Sequence, residues 1–378
     1  MRIYYIANAR MPTEKTHGLH IAKMCEAFAA CGAEVTLVLS RRKNVIAGDV
    51  FAYYGILRNF DVQYIPVWDL VGKGFFGYWL TQLSFSFGLL RHFWSKKTGM
   101  VITRDELSGW MMSKRGFRVF YDMHGFPERW RSFWKVAMKQ MAGIICTNEW
   151  KIGKLRDAFG IQEDMLLLAR NGFDASAFDR DISKEDARRS VGLPLDGNIV
   201  MYTGHLYDWK GVDVLARAAS SVRDALVVIV GGTAGQVADF QKRHRDIANL
   251  VVIGHKPHAD MPLYLKAADV LVIPNSRISK NARAIPYSIY DTSPIKLFEY
   301  MASKRPIVAS NLPSIREVVD EETAVFFEPD NPRDLARSIR AVLHDADGSA
   351  RRALRAFDKS REYTWERRAR RILQFMQR

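Results

Sequence analysis

The feature that most constrains this chain is an alternation that runs through it twice. Apolar runs of strand length are each followed by a segment of helical period. In the first series these runs are IYYIAN (3–8), EVTLVLS (34–40), VQYIPV (62–67), MVITR (100–104), FRVFYDM (117–123), GIICTN (143–148) and MLLLAR (165–170). Residues 17–31 form the first helical segment, and Gly32 stops it. Near-continuous Val, Ile and Leu, without polar alternation, belongs to strands buried on both faces, which predicts a parallel sheet covered by helices. A turn at Asn171-Gly172-Phe173-Asp174 and a polar stretch to Leu193-Pro194 interrupt the pattern. A second series follows: NIVMYTG (198–204), LVVIVGG (226–232), NLVVIG (249–254), VLVIPN (270–275), PIVAS (306–310) and AVFFE (324–328). The expected fold class is α/β, with two Rossmann-like doubly wound domains, 1–172 and 173–363, facing a central cleft. Open sheets of this kind bind ligands beyond the carboxyl ends of their strands.

Composition narrows the partners. Lys and Arg number 56 against 41 Asp and Glu, a formal charge of +15. That balance predicts an anionic partner: nucleic acid, a phosphorylated ligand or an acidic membrane. Three cysteines (Cys25, Cys31, Cys146) show no metal-ligand spacing, so neither a disulfide framework nor a zinc site is expected, and a reducing cytoplasm is the natural compartment. The apolar run at the N-terminus is too short for a signal peptide. The aromatic stretch 74–94 carries Gln82, Arg91 and His92 and falls short of a membrane span. Residues 75–94 are therefore expected as a helix buried in the core between strands of the first sheet.

Two stretches carry the chemistry. In YTGHLYDWKG (202–211) a strand ends at Gly204, a loop carries His205 and Lys210, and Gly211 opens a helix. Strand, glycine loop and helix start together make an anion site, although an ordinary helix start with a solvated lysine has the same spacing. In residues 285–319, Asp291 stands in a loop and Ser293-Pro294 at a helix start, and Glu299 falls on the first or second turn. Free backbone donors near Pro294, Ile295, Lys296 and Leu297 suit a diphosphate, and Glu299 suits a ribose diol. Alternatively, Glu299 is a surface acid that complements the helix dipole.

GHLYDWKG, NLVVIGHKPHADMPLYLKAADVLVIPN and SPIKLFEYMASKRPIVASNLPSIREV resemble the C-terminal domain of the retaining GT-B glycosyltransferases of the glycogen-synthase-like class, glycosyltransferase family 4. PTEKTHGLHIAKMCEAFAACGAEVTLV resembles that family's first strand-loop-helix-strand unit, and NGFD its interdomain junction. The resemblance implies a nucleotide-diphosphate sugar donor, held mainly by the second domain, and a glycan or lipid-linked acceptor. It implies Glu299 on the ribose, Lys210 on the diphosphate, the backbone of Ser293 to Leu297 around phosphate and sugar, and Gly254-His255-Lys256 beside the base. His124, in YDMHGF, resembles the histidine facing the donor sugar. Gly18 and His20 fall in the first loop, which in the family borders donor and acceptor.

Two positions depart from the family pattern. His205 stands where an arginine is usual, and Asp291 replaces the first acid of the Glu-seven-Glu pair with a shorter one. No metal-binding acid pair is visible, so neither a metal nor another cofactor is expected, and Lys210, His205 and the helix start would neutralise the leaving group. No carboxylate nucleophile is evident near His124, which fits front-face departure and attack with retention. A strand-end histidine is also a common structural hydrogen-bonder.

Residues 127–143 interleave Arg129, Arg131, Lys135 and Lys139 with Trp130, Phe133, Trp134 and Met138. The pattern reads as an interfacial membrane helix or an acceptor-side lip, with Trp130, Phe133 or Trp134, and Ala137 or Met138 on one face, or as a helix packed on the sheet with snorkelling cations. The Arg-rich terminus 351–378 reads as helices with a solvated basic face, the last crossing back onto the first domain from about residue 364. No nucleic-acid module accompanies these charges, so a peripheral contact with the inner face of the membrane is expected rather than nucleic acid. A sugar-nucleotide epimerase and a non-catalytic nucleotide-binding membrane adaptor are the rival readings.

Overall fold

The computed structural model describes residues 1–378 except 96–98, 129, 180 and 282–283; Arg129 of the basic-aromatic stretch therefore lies outside the described residues. The chain divides into two compact units. The first comprises Met1–Arg170 with Trp365–Arg378, and the second comprises Asn171–Thr364.

The first unit is built on seven parallel strands, β1 (Arg2–Ala7), β2 (Glu34–Arg41), β3 (Asp61–Pro66), β4 (Met100–Thr103), β5 (Arg118–Met123), β6 (Gly143–Cys146) and β7 (Leu166–Leu168). Their spatial order is β3-β2-β1-β4-β5-β6-β7. In register, Tyr5 of β1 lies beside Leu37 of β2 and Ile102 of β4. The second unit holds β8 (Asn198–Thr203), β9 (Ala225–Val230), β10 (Leu250–Gly254), β11 (Val270–Ile273), β12 (Ile307–Ser310) and β13 (Val325–Phe327), ordered β10-β9-β8-β11-β12-β13 and again parallel. In both sheets the order reverses beside the first strand of the unit, and at such a switch point the helices leave a crevice at the strand carboxyl ends. Each of the thirteen apolar runs in the sequence forms one of these strands, because an uninterrupted β-branched run finds apolar cover on both faces only here.

Six helices position the residues discussed below: α1 (Thr16–Ala30), α2 (Gly74–His92), α3 (Arg131–Met138), α4 (Val212–Ala219), α5 (Ile295–Ala302) and α6 (Trp365–Gln377). Helix α6 packs on α1 within the first unit. Its Trp365, Ala369, Ile372 and Met376 are buried at helical spacing.

Helix α2 departs from its expected place in the core. Its inward face carries Thr81, Gln82 and Ser86 together with Phe85 and Leu89, while Phe76 is 80% and Phe87 66% exposed. Hydrogen bonds explain the orientation. Thr81 Oγ1 accepts from the Leu70 N–H (2.9 Å) and donates to the Trp68 carbonyl (2.8 Å). The Gln82 carbonyl accepts from Asn8 Nδ2 (2.6 Å), and its amide donates to Asp105. Thr81 and Gln82 find partners on this side, whereas Ser86 Oγ is buried with none among the described residues; leaving the Thr81 and Gln82 partners unsatisfied would cost more than exposing a phenylalanine.

Helix α3 also divides differently from the sequence reading. Trp134, Ala137 and Met138 pack into the core of the first unit, whereas Trp130, Phe133 and Val136 face outward. Among the described residues, no helix is long and apolar enough to cross a membrane.

Candidate functional site

In the second unit, β8 ends at Thr203 and the chain turns through Gly204, whose φ is +136°. A Cβ on Gly204 would stand 2.7 Å from Lys296 Nζ, so only glycine leaves room for that ammonium. The loop that follows is a ladder of rings. His205 stacks on Tyr207 (5.1 Å between centroids), Tyr207 lies parallel to Trp209, and Lys210 Nζ sits 3.9 Å over the Trp209 ring. Gly211 then caps α4 with φ +67°, where a Cβ would fall 1.7 Å from the Pro274 carbonyl oxygen.

Helix α5 supplies the other half. Pro294 stands one residue before the helix, not inside its first turn, and has no N–H to offer. The Leu297 N–H already donates to the Pro294 carbonyl (3.0 Å), and the Ile295 and Leu297 side chains are buried. The expected cradle of backbone donors therefore narrows to the Ile295–Lys296 end, and the side chain of Lys296 adds what the backbone lacks. Its Nζ is buried 3.8 Å over the Tyr202 ring and has no hydrogen-bond partner among the described residues. Ser293 Oγ is likewise buried without a partner, while the Ser293 carbonyl accepts from Asn171 Nδ2 (2.6 Å).

Burial lowers the Lys210 ammonium to about 7. Burial, and then repulsion from Lys210, hold Lys296 well below the usual lysine range. Desolvated ammonium groups that repel one another are an arrangement that an anion relieves.

Glu299 lies on the second turn of α5, buried, and its Oε1 accepts from His258 Nε2 at 2.6 Å. His258 was not singled out in the sequence; it follows His255 by three residues, at the end of the loop read as the base loop. His255 is exposed and Lys256 partly so, while Gly254 ends β10 with φ +80°. Asp291 is buried at the end of the helical turn Tyr287–Asp291, not in an open loop.

The first unit gathers a second cluster around His124. Gly18 and His20 belong to the first two turns of α1, not to a loop, because the helix begins at Thr16. Gly18 makes room for Tyr54. A Cβ there would overlap the Tyr54 hydroxyl, which accepts from the Thr13 N–H and donates to the Thr13 carbonyl. His20 is buried edge-on against His124 (4.3 Å between centroids) and Trp365 (5.2 Å).

His124 Nε2 lies 3.2 Å from Asp122 Oδ2, and the other oxygen of Asp122 accepts from Arg368 Nη2 of α6 at 2.7 Å. A carboxylate not singled out in the sequence therefore stands beside His124. It is buried behind the ring and held by Arg368, so it orients the imidazole and presents no free oxygen for attack. Desolvation pushes the Asp122 carboxyl up, but Arg368, then His124 and His20, outweigh it and hold it well below the carboxylate range. Burial and the nearby Arg104 lower His124 to about 3, so its ring is neutral. His20, Asp122 and His124 place one ligand atom each within 4.8 Å of one another, a spacing open to a metal ion. Arg368 occupies the Asp122 oxygen on the far side, and its charge opposes a cation there.

Asp122 was legible in principle, as an acid inside an apolar strand run two residues ahead of His124. Arg368, expected on a solvated basic face, is buried instead, and nothing local marks it. A concavity of about 590 Å³ elsewhere on the second unit is lined by Arg277, Arg316 and Glu321 and contains none of these site residues. Its arginines Arg277, Arg316 and Arg352 are paired with Glu328, Glu321 and Asp345.

Residues 183–360 match the glycosyl transferases group 1 family. An uncharacterised glycosyltransferase of Methanocaldococcus jannaschii is 28% identical over 202 residues, covering 50% of this chain and 47% of the relative. The chain thus spans about half the length of the curated relatives it matches. Among solved structures, sucrose-phosphate synthase of Thermosynechococcus elongatus superposes with a TM-score of 0.77 at 18% identity, covering 100% of this chain and 98% of that one. HepE of Anabaena, in complex with UDP and glucose, gives 0.74 at 15% identity over 99% of both chains. The two parallel-sheet α/β units have the fold of the GT-B glycosyltransferases, and residues 183–360 match the glycosyl transferases group 1 family.

Proposed function

We propose that this protein is a retaining, metal-independent glycosyltransferase that moves a sugar from a nucleotide-diphosphate sugar to a hydroxyl of a glycan or lipid-linked glycan, in the synthesis of cell-surface polysaccharide. One observation carries the reading: Lys296 Nζ is buried at the start of α5 with no hydrogen-bond partner among the described residues, and the Lys210 charge repels it. A diphosphate supplies the negative charge that this pair lacks. Lys296 offers the second cation that an arginine at position 205 would have given. Glu299, held by His258 through one oxygen, keeps the other for a ribose diol.

In the proposed step the bond from C1 of the sugar to the phosphate oxygen breaks, and its electron pair leaves with the diphosphate. The acceptor hydroxyl attacks C1 from the same face and passes its proton to the departing phosphate oxygen. Lys210, Lys296 and the start of α5 stabilise the charge that develops on that oxygen. His124, kept neutral, is assigned to hydrogen-bonding a sugar hydroxyl, with Asp122 fixing its ring.

The test is calorimetric titration with UDP, GDP and ADP and their sugars, followed by acceptor labelling. Lys210→Ala, Lys296→Met and Glu299→Ala are each expected to weaken nucleotide binding by about 10- to 100-fold, as loss of a buried charged contact does. Binding and turnover at wild-type level in all three would remove the site from α5. Nucleotide release with an isomerised sugar and no labelled acceptor would make the protein an epimerase.

A further inference from the structure

We propose that the outward face of α2, continued by α3, is a docking surface for an anionic phospholipid bilayer. Phe76, Leu80, Leu83, Phe87, Leu90 and Trp94 recur at steps of four and three, so they form one stripe along the helix. Trp94 is 72% exposed, Leu80 43% and Leu83 44%, and together with Phe76 and Phe87 they make an apolar stripe larger than scattered surface residues explain. Trp79 carries the surface across to Trp130, at 5.0 Å between ring centroids, and Phe133 and Val136 of α3 extend it.

Charge selects the occupant. No Asp or Glu occurs from 70 to 104 or from 129 to 148. Exposed Lys73 immediately precedes α2, exposed Arg91 lies in its last turn, and Lys135 on α3 and Lys139 just after it are exposed. A second copy of this chain, docked by the same face, would bring Lys73, Arg91, Lys135 and Lys139 against like charges. A lipid surface bearing phosphates answers all of them, and rings of this kind favour the headgroup boundary.

The full chain is co-sedimented with phosphatidylcholine vesicles, with and without phosphatidylglycerol, beside the variants Phe76→Ser/Phe87→Ser and Lys135→Glu/Lys139→Glu. Wild type is expected to bind the anionic vesicles with a blue shift of tryptophan emission, and added salt should weaken the binding. Each double variant should bind at least about tenfold more weakly, with unchanged far-ultraviolet circular dichroism and unchanged nucleotide affinity. Wild type that binds neither vesicle, or variants that bind like wild type, would overturn the proposal. So would a dimer in sedimentation velocity that Phe76→Ser/Phe87→Ser converts to monomer, which would give this face to a second copy.

Discussion

With the Lys210 ammonium brought by burial to about 7, the proposed diphosphate binding beside it is a proton-linked event. An anion beside it raises that pKa again. Above about pH 7 the empty site has lost its proton, and binding must take one back, so affinity falls as pH rises. Below about 7 Lys210 is protonated in both states and adds no slope. UDP titrated from pH 6.5 to 9 should therefore lose up to about tenfold in affinity per pH unit above 7, for one proton taken up. Lys210→Met should flatten that fall. An equal slope in the variant would mean that Lys210 does not meet the diphosphate. Lys296 enters the proposed site through its side chain, whose buried ammonium has no hydrogen-bond partner among the described residues, and not only through the backbone beside it.

At the scale of the element, α6 closes the first unit with a buried charge as well as an apolar face. Arg368 and Asp122 are both nearly inaccessible, and the arginine is 246 positions away along the chain. Removing one member of such a pair leaves the other charged in a dry site. Arg368→Met should lower the unfolding free energy by about 3–5 kcal/mol, measured by urea denaturation, whereas Arg370→Met on the solvent face should cost under about 1 kcal/mol. Arg368→Met should also let His124 titrate at a higher pH, visible in its imidazole proton resonances, since Asp122 then acts on it without its counter-charge. Equal effects of the two substitutions would make the buried pair energetically idle. Helix α2 shows the same physics reversed. Its Thr81 and Gln82 go inside because Trp68, Leu70, Asn8 and Asp105 offer partners there.

For the molecule as a whole, three histidines of the first unit set the acid limit. Burial first lowers His17 to about 4 and His124 to about 3, and it holds His20 well below its ordinary value. Below about pH 6.5 the unfolded chain protonates these rings while the fold keeps them neutral. The unfolded state then binds more protons, so stability drops as pH falls from about 6.5 toward 3. For His20 and His124 the loss reaches about 1.4 kcal/mol per pH unit each. Denaturant midpoints at pH 7 and pH 4.5 should differ in wild type, and the difference should shrink in His20→Gln and His124→Asn. A midpoint independent of pH would contradict the buried, neutral state of these rings.

The sequence by itself determined the two series of strands, the helix start behind Lys210, and the acid and glycines around α5. All of these are local: a buried strand needs an unbroken apolar run, and a phosphate turn needs glycine or proline at fixed offsets. Position 122 was legible too, as an acid inside an apolar strand run two residues ahead of His124, although the pattern of apolar runs hides it. Only the tertiary structure decided that Lys296 turns its ammonium beneath Gly204 and that His258 reaches Glu299. It also decided that Arg368 returns to Asp122, and that α2 turns its aromatic side outward. These depend on which groups from distant segments meet in a dry interior, where an unpaired polar atom costs more than an exposed ring. No periodicity within one segment carries that information.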